Sequence, residues 1–368
     1  MTGDRMGIAD ASVRLRNLFK APDTGFIPAI QGLRGLAALS VVATHIYAMP
    51  YLLGLVPAEF PQWARDSLSA GGRGVELFFI ISGYLIPASL VRHGALSKFF
   101  YDRALRIMPV FVILHLIVFV IGPFVGYKFF AGLDPLAYVR LFFTNLFFLQ
   151  DLVGDPIAQQ NAWTLTYEWA FYVWFALLFM AAVRRNWVVA ALLAVLGLGL
   201  AWFFPRIVYF ALGMLMASLP VRLALPGAPG LILGALCLAL MYYLCEYVAP
   251  AAGLIPAALI FALVLSPQSG FARFLGTAPL QFVGKISYSL YLVHPFALFA
   301  LLMLLKRLIA MGVDPWMGIA GFAIAGVAAS LLASAASYAL IELRLRRFIQ
   351  QRLSGSGFRM RLRRVSNP

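Results

Sequence analysis

Runs of about twenty apolar residues recur along this chain, and they restrict its fold more than any other feature of the sequence. Of the 368 residues, 62% are hydrophobic and only 12% are charged, and the mean hydropathy is +0.89. A helix needs about 20 residues to cross the ~30 Å hydrocarbon core of a bilayer, whereas a barrel strand needs about ten. The pattern therefore predicts an all-α fold, a polytopic transmembrane helical bundle.

About ten stretches qualify as candidate spans, and because two of them are short, nine or eleven spans remain open. The stretches cover residues 29–49, 73–92, 107–127, 164–183, 187–204, 206–220, 229–247, 251–266, 284–305 and 317–342. This division predicts three regions of the chain. A basic cytoplasmic segment covers residues 1–28, the transmembrane bundle covers 29–342, and a basic cytoplasmic tail covers 343–368.

The distribution of lysine and arginine predicts the orientation of the bundle. With the N-terminus in the cytoplasm, the inner segments carry 21 of the 29 basic residues and the outer loops carry 7. Cytoplasmic loops of membrane proteins have this excess, so we expect both termini inside, N-in and C-in. The net charge of +15 fits contact of the arginine-rich tail with lipid headgroups, and we expect membrane lipids but no nucleic acid as partners.

Two ionisable residues lie on the first predicted span, Arg34 and His45. They are 11 positions apart, so on a helix they share a face and lie about 16 Å apart along its axis. An intramembrane charge is costly and usually faces the bundle interior or a wet cavity. The pair therefore indicates chemistry inside the membrane in addition to anchoring.

The outer ends of three spans carry candidate catalytic residues. His45 lies near the outer end of the first span, Glu76 near the outer start of the second, and Glu168 one turn into the fourth. A carboxylate beside an imidazole fixes its tautomer and raises its basicity, which suits removal of a proton from a hydroxyl. The alternative is that these residues form hydrogen bonds between packed helices.

Four basic residues near the cytoplasmic side form a candidate site for a polyanion: Arg34, Lys98, Arg103 and Arg106. Arg103 and Arg106 are three positions apart, so on a helix they point to one side. Guanidinium groups match phosphate oxygens in geometry and charge. Ordinary positive-inside charge explains Lys98 equally well, but it explains Arg34 poorly, because Arg34 lies within an apolar run.

The remaining candidates give weaker signals. Tyr288 lies at helical spacing from His294, and Pro295 after it can open a polar kink. Ser82 lies in mid-span. Its hydroxyl could act as a nucleophile, and the alternative is a hydrogen bond to a backbone carbonyl of its own helix. A lone histidine such as His115 is more often a packing residue. The four histidines include no i, i+4 pair, so we expect no metal site.

Five segments carry a resemblance to a known family. They are Arg34 followed after ten residues by His45, GGRGVELFFIISGYLI from Gly71, FYDRALRIMP from Phe100, WTLTYEWAFYV from Trp163, and ISYSLYLVHP from Ile286. In this order they are similar to the acyltransferase 3 family of integral-membrane O-acyltransferases. The resemblance covers residues 26–347.

The resemblance implies an enzyme that moves an acyl group, often acetyl, from cytoplasmic acyl-CoA to a hydroxyl outside the membrane. Acyl-CoA is then a cosubstrate, and acetyl-CoA is the form we expect. The resemblance implies no permanently bound cofactor. The expected acceptor is a bacterial exopolysaccharide or its lipid-linked precursor, with polysaccharide-biosynthesis machinery among the partners. The expected location is the bacterial inner membrane. The motif residues of the family correspond here to Arg34, His45, Arg103, Arg106 and Glu168.

These expectations fit the two layers of charged residues. The phosphates of CoA suit the inner arginines, and the pantetheine arm can carry the thioester inward to an acceptor that His45 deprotonates. Candidate donors to the oxyanion are Arg73, Trp163, Tyr167 and backbone amides. We expect direct transfer in a ternary complex, because no activated cysteine or serine is evident. The rival functions are a glycan or lipid transporter or flippase, and a non-catalytic partner in secretion.

Overall fold

The computed structural model describes residues 26–355 except 128, 131 and 220, and every regular element in that part of the chain is helical. The fifteen α-helices are α1 Pro28–Leu52, α2 Gln62–Ala70, α3 Gly74–His93, α4 Leu96–Val125, α5 Pro135–Leu146, α6 Gln150–Val153, α7 Trp163–Val183, α8 Trp187–Phe203, α9 Val208–Ser218, α10 Gly227–Tyr247, α11 Leu254–Val264, α12 Gly270–Leu275, α13 Ala278–Ala310, α14 Pro315–Ser337 and α15 Arg346–Gly355. A π-helix, Tyr338–Leu345, joins α14 to α15.

Seven helices of the described part are long and apolar enough to cross a membrane. They are Pro28–Leu52, Gln62–His93, Leu96–Val125, Trp163–Val183, Gly227–Tyr247, Ala278–Ala310 and Pro315–Arg352. Three shorter apolar helices, Trp187–Phe203, Pro205–Ser218 and Leu254–Val264, coincide with the other three predicted spans. The prediction of an all-α bundle is confirmed. Most of the basic segment predicted at 1–28, and residues 356–368 of the predicted tail, lie outside the described residues.

Local sequence signals explain where the helices begin and end. Pro28 occupies the first turn of α1, where its missing N–H costs no hydrogen bond. Asp134 caps α5, because its carboxylate accepts hydrogen bonds from the backbone N–H groups of Leu136 and Ala137 at 2.9 and 3.0 Å. Gly94 ends α3 at a φ of +66°, a left-handed conformation that favours glycine. The tight turn after Gly94 starts α4 beside the end of α3.

Helices α1 and α13 pack together through glycine contacts. A Cβ atom on Gly284 would lie 2.0 Å from the carbonyl oxygen of Gln31, and a Cβ atom on Gly35 would lie 2.8 Å from the backbone nitrogen of Gly284. Only glycine permits backbones to approach this closely. Residues 31, 34 and 45 of α1 contact residues 281, 287 and 294 of α13, in that order, so residue numbers rise in the same direction along both helices. The two helices therefore run parallel.

A second close contact joins α3 to α9. A Cβ atom on Gly83 would lie 2.1 Å from the carbonyl oxygen of Phe210, and a Cβ atom on Gly213 would lie 2.2 Å from that of Ile80. Carbonyl oxygens of a helix cannot move aside without breaking backbone hydrogen bonds. This contact fixes the position of α3, which carries several of the predicted site residues.

Replacing Gly83 with Ala is expected to destabilise the protein by about 1–3 kcal/mol, because the new methyl group overpacks the α3–α9 contact. The measurement is the thermal unfolding midpoint in detergent. Gly199→Ala is the matched control, because Gly199 is also helical but a Cβ atom there would meet no neighbouring atom within 4 Å. That variant should keep or raise its midpoint, since alanine favours helices. Equal losses in both variants would contradict the packing argument.

Candidate functional site

A cavity lies between α1, α3, α4, α7 and α13. Four of the predicted site residues line it with charged side chains, namely Arg34, Arg103, Arg106 and Glu168. Three different helices contribute these charges, and their arrangement depends on the packing of the bundle. The cavity is the place where the sequence-predicted anion site comes together.

Arg34 is held in the cavity by the packing of α1 against α13. Its Nε donates a hydrogen bond to the Oγ of Ser287 at 3.3 Å, and Ser287 is fully buried on α13. The guanidinium group also lies close enough to Arg106 and Glu168 to interact with both electrostatically. Arg34 therefore faces the bundle interior, as expected for a charge within an apolar run.

The two arginines of α4 point to the same cavity, as their spacing predicts. Nη2 of Arg103 donates to the Oγ of Ser89 at 3.0 Å, and the guanidinium lies 5.8 Å from the centre of the Phe99 ring. The buried Nε of Arg103 has no hydrogen-bond partner among the described residues. Lys98 is exposed near the start of α4 and does not line the cavity. The position of Lys98 favours its interpretation as one of the basic residues that mark the cytoplasmic side of the membrane.

Glu168 lies among the arginines of the cavity, whereas a place beside His45 was expected from the sequence. Its Oε1 accepts hydrogen bonds from the Oγ of Ser82 at 2.9 Å and from the hydroxyl of Tyr172. Glu168 follows the start of α7 by five residues, which places it about 7.5 Å along the helix axis. That depth brings the carboxylate level with the cavity. Ser82 thus serves as a donor to Glu168.

His45 is paired with a second histidine, where a carboxylate was expected from the sequence. Its Nδ1 lies 2.9 Å from the Nε2 of His294, and the Nδ1 of His294 lies 2.7 Å from the carbonyl oxygen of Leu290. A carbonyl oxygen only accepts, so the Nδ1 of neutral His294 carries the proton and its Nε2 accepts from His45. The Nε2 of neutral His45 therefore carries a lone pair. This is the tautomer that a general base requires.

Glu76 takes part in a buried network of ion pairs. Its Oε1 lies 3.4 Å from the Nη1 of Arg73 and 3.7 Å from the Nε of Arg206. The Nε of Arg73 also donates to the Oε2 of Glu246 at 2.6 Å. Glu76 is fully buried, and removing one partner of a buried ion pair leaves an uncompensated charge. These contacts favour a structural role for Glu76 and Arg73, the alternative considered for Glu76 from sequence.

The aromatic candidates at the start of α7 belong to the same network. The guanidinium of Arg206 lies 5.1 Å from the centre of the Trp163 ring, and the ring of Tyr167 packs edge-on to Trp163 at 5.6 Å. Tyr288 lines the cavity, and its hydroxyl donates to the carbonyl oxygen of Ile107 at 2.7 Å. These contacts tie Trp163 and Tyr167 to Arg206, and Tyr288 to the wall of the cavity.

His115 is fully buried on α4 among aromatic rings. The centres of the Phe111, Phe119 and Phe142 rings lie 5.7, 4.6 and 4.8 Å from the centre of its imidazole. This environment agrees with the interpretation of His115 as a packing residue. Within the described part of the chain, no group of His, Cys, Asp or Glu side chains could hold a metal ion.

Glu342, in the π-helix after α14, interacts with two arginines of the cavity, although it is not a lining residue and the sequence does not single it out. Its Oε1 accepts a hydrogen bond from the Oγ of Ser289 at 2.5 Å, and its charge interacts with Arg106 and Arg34. Short π-helical segments occur often at functional sites. The signal in the sequence is an acid within the apolar run ASYALIEL. The last predicted span, 317–342, ends at this acid.

Comparisons with known proteins identify the family of the chain. A family described as an acyltransferase domain, acyltransferase 3, matches residues 27–335. Acyltransferase MdmB of Streptomyces mycarofaciens is 28% identical over 318 residues, covering 73% of this chain and 78% of that protein. Peptidoglycan O-acetyltransferase OatA of Listeria monocytogenes is 29% identical over 191 residues, covering 48% of this chain and 28% of that protein.

O-acetyltransferase OatA of Staphylococcus aureus is 25% identical over 337 residues, covering 76% of this chain and 52% of that protein. The chain thus spans about half or less of the two OatA relatives. No solved structure matches the chain significantly. Because the family match covers most of the sequence, from before Arg34 to the end of α14, the chain belongs to the acyltransferase 3 family.

Proposed function

We propose that this protein is a membrane O-acyltransferase that moves an acyl group from cytoplasmic acyl-CoA to a hydroxyl on the opposite side of the membrane. Acetyl is the proposed acyl group. One observation carries the proposal. A cavity lined by three arginines lies within the bundle, and a histidine pair suited to base catalysis lies further along α1 and α13. Acyl transfer to a hydroxyl requires a base, and the Nε2 of His45 is in the form that can act as one.

The arginine-lined part of the cavity is proposed to bind the phosphates of CoA. Arg103 supports this, because it lines the cavity and its buried Nε has no hydrogen-bond partner among the described residues. Glu168 offsets part of the positive charge, and its two hydroxyl donors keep it oriented. The pantetheine arm would extend from the arginines along the cavity toward the end of α1 that carries His45.

We propose direct transfer in a ternary complex. The Nε2 of His45 takes the proton of the acceptor hydroxyl, and the resulting alkoxide attacks the thioester carbonyl. The tetrahedral intermediate then collapses, the C–S bond breaks, and CoA leaves as a thiolate that accepts the proton from the His45 imidazolium, which restores the neutral base. His294 holds His45 in the required tautomer and does not itself touch the substrate.

The proposed topology is ten spans with both termini in the cytoplasm. The parallel direction of α1 and α13 supports it, because an odd number of membrane crossings must then separate the two helices. Four long helices lie between them, which is an even number of crossings. If the three shorter apolar helices also cross the membrane, the number of crossings is seven, which is odd. The lysine and arginine distribution places the Arg34 end of α1 on the cytoplasmic side.

The proposed acceptor is a glycan hydroxyl outside a bacterial inner membrane, on an exopolysaccharide or its lipid-linked precursor. The name of the Listeria monocytogenes relative refers to a carbohydrate polymer, which supports this class of acceptor. Polysaccharide-biosynthesis machinery is the corresponding proposed partner. The MdmB relative is named only as an acyltransferase, so a small-molecule acceptor is the alternative.

The experiment that tests this function uses the native host with its own copy of the gene deleted. The deletion strain is complemented with wild type or with His45→Ala, and ester-linked acyl groups are quantified on extracted surface glycans and lipids. Acyl groups present only with wild type support the proposal and identify the acceptor class. If no extract differs, acyl-CoA binding to the purified protein distinguishes a small-molecule acceptor from a transporter.

Replacing His294 with Leu is expected to lower the rate of acyl transfer about three- to tenfold, the loss of one hydrogen bond that orients His45. His294→Gln should recover part of this rate, because its amide oxygen can still accept from the Nδ1 of His45. The measurement is kcat at equal amounts of folded protein. If Leu and Gln lower kcat equally, His294 contributes only packing.

A further inference from the structure

We propose that the rings of Phe78 and Tyr291 narrow the cavity on the side of the histidine pair and limit the length of the acyl group that the enzyme accepts. This inference rests on the proposed function, in which the cavity holds the acyl-CoA donor. It assigns a specificity-determining role to two residues that take no part in the proposed transfer step.

One face of α3 runs along the cavity from end to end. Val75, Phe78, Ser82 and Leu85 all line it, at spacings of three, four and three residues that place them on one side of a helix. Leu85 lies toward the end of α3 that leads to the arginines of α4, and Phe78 lies two turns closer to the His45 end of the bundle. Phe78 therefore lies in the half of the cavity that is farther from the arginines of α4, one turn from Val75.

Phe78 and Tyr291 contact each other in that half of the cavity. Their ring centres are 5.7 Å apart, and both side chains line the cavity. Tyr291 precedes His294 by three residues on α13, and Phe78 also packs against the cluster of Val42 and Leu290 near the histidine pair. Among the described residues that line the cavity, neither histidine is present. The two rings thus narrow the cavity on the side that faces the proposed base.

Tyr291 and Phe78 differ in burial and in their backbone contacts. The backbone oxygen of Tyr291 accepts a hydrogen bond from the Nδ2 of Asn161 at 2.6 Å, and both residues are buried. Phe78 is only partly buried and borders open space in the cavity. Changing Phe78 therefore alters the volume of this part of the cavity directly. An acyl chain that extends past its first carbons meets this ring.

The test compares the affinities of purified wild type and Phe78→Ala for acetyl-CoA and butyryl-CoA. Removing the ring opens room for the two additional methylene groups of butyryl-CoA. The expected result is that the ratio of the two dissociation constants shifts about tenfold toward butyryl-CoA, the change that burial of two methylene groups produces. Phe78→Leu should give a smaller shift in the same direction, and it is the variant to use if Phe78→Ala does not fold.

Leu85→Ala is the matched control, because Leu85 lines the same cavity on the same helix but lies toward the arginines. It should leave the ratio of dissociation constants unchanged. An unchanged ratio in Phe78→Ala and Phe78→Leu, or an equal shift in Leu85→Ala, would overturn this role of Phe78 while leaving acyl-CoA as donor. If wild type binds neither thioester, the proposed function fails and this inference fails with it.

Discussion

Replacing His45 with Ala is expected to lower acyl transfer by a factor of about 10²–10⁴, the usual contribution of a positioned general base. The variant loses the nitrogen that takes the proton of the acceptor hydroxyl. It keeps the arginine-lined cavity, so its affinity for acyl-CoA should stay close to that of wild type. The measurement is transfer of acetyl from labelled acetyl-CoA to membrane glycans, together with acetyl-CoA binding to the same preparation.

His115→Leu is the control for this prediction. His115 is also a buried histidine of the bundle, but its ring packs among phenylalanines, and leucine fills a similar volume. The control should transfer acetyl at close to the wild-type rate. Full activity in His45→Ala would remove His45 from the reaction, and equal losses in both variants would indicate damage to the fold.

Replacing both Arg103 and Arg106 with Ala is expected to weaken acetyl-CoA binding by about 100-fold or more. Hydrogen bonds to charged groups contribute about 1.5–3 kcal/mol each, and the double variant removes at least two such donors. The effect should appear in the dissociation constant of acetyl-CoA, measured with the purified protein. Binding of free CoA should weaken in parallel, because the arginines are proposed to contact the phosphates and not the acyl group.

Arg140→Ala serves as the control for charge. Arg140 is more than half exposed and pairs with Asp155 at 2.7 Å, and it does not line the cavity. Its removal lowers the net charge but should leave the affinity for acetyl-CoA unchanged. If the double variant binds acetyl-CoA as wild type does, Arg103 and Arg106 act only as topology signals.

The helical architecture and the positions of the arginines could be predicted from the sequence, because both depend on local periodicity. Arg34 and His45 share a face of α1 by their spacing, and both contact α13 in the structure. Arg103 and Arg106 share a side of α4 for the same reason. Apolar length predicted the helices, although three of the ten are too short to count as spans by length alone.

The partners of the acids could not be predicted, because they depend on how helices remote in sequence pack. Glu76 pairs with Arg73, which is near it in sequence, but also with Arg206 from a turn more than a hundred residues away. Glu168 lies in the cavity because of its depth along α7, and Glu342 interacts with the arginines from the π-helix. The periodicity of one helix shows which of its own faces is buried, but not which face of which other helix packs against it.

The acyl group is proposed to pass from CoA on the Arg34 side of the bundle to a hydroxyl on the His45 side. Sealed inverted vesicles of the native host test this directly, because labelled acetyl-CoA supplied outside reaches only the cytoplasmic face. We expect ester-linked label on glycans or lipids inside the vesicles, protected from added hydroxylamine until detergent opens them and absent with His45→Ala. Label that hydroxylamine removes from sealed vesicles, or label that persists with His45→Ala, would contradict transfer across the bundle.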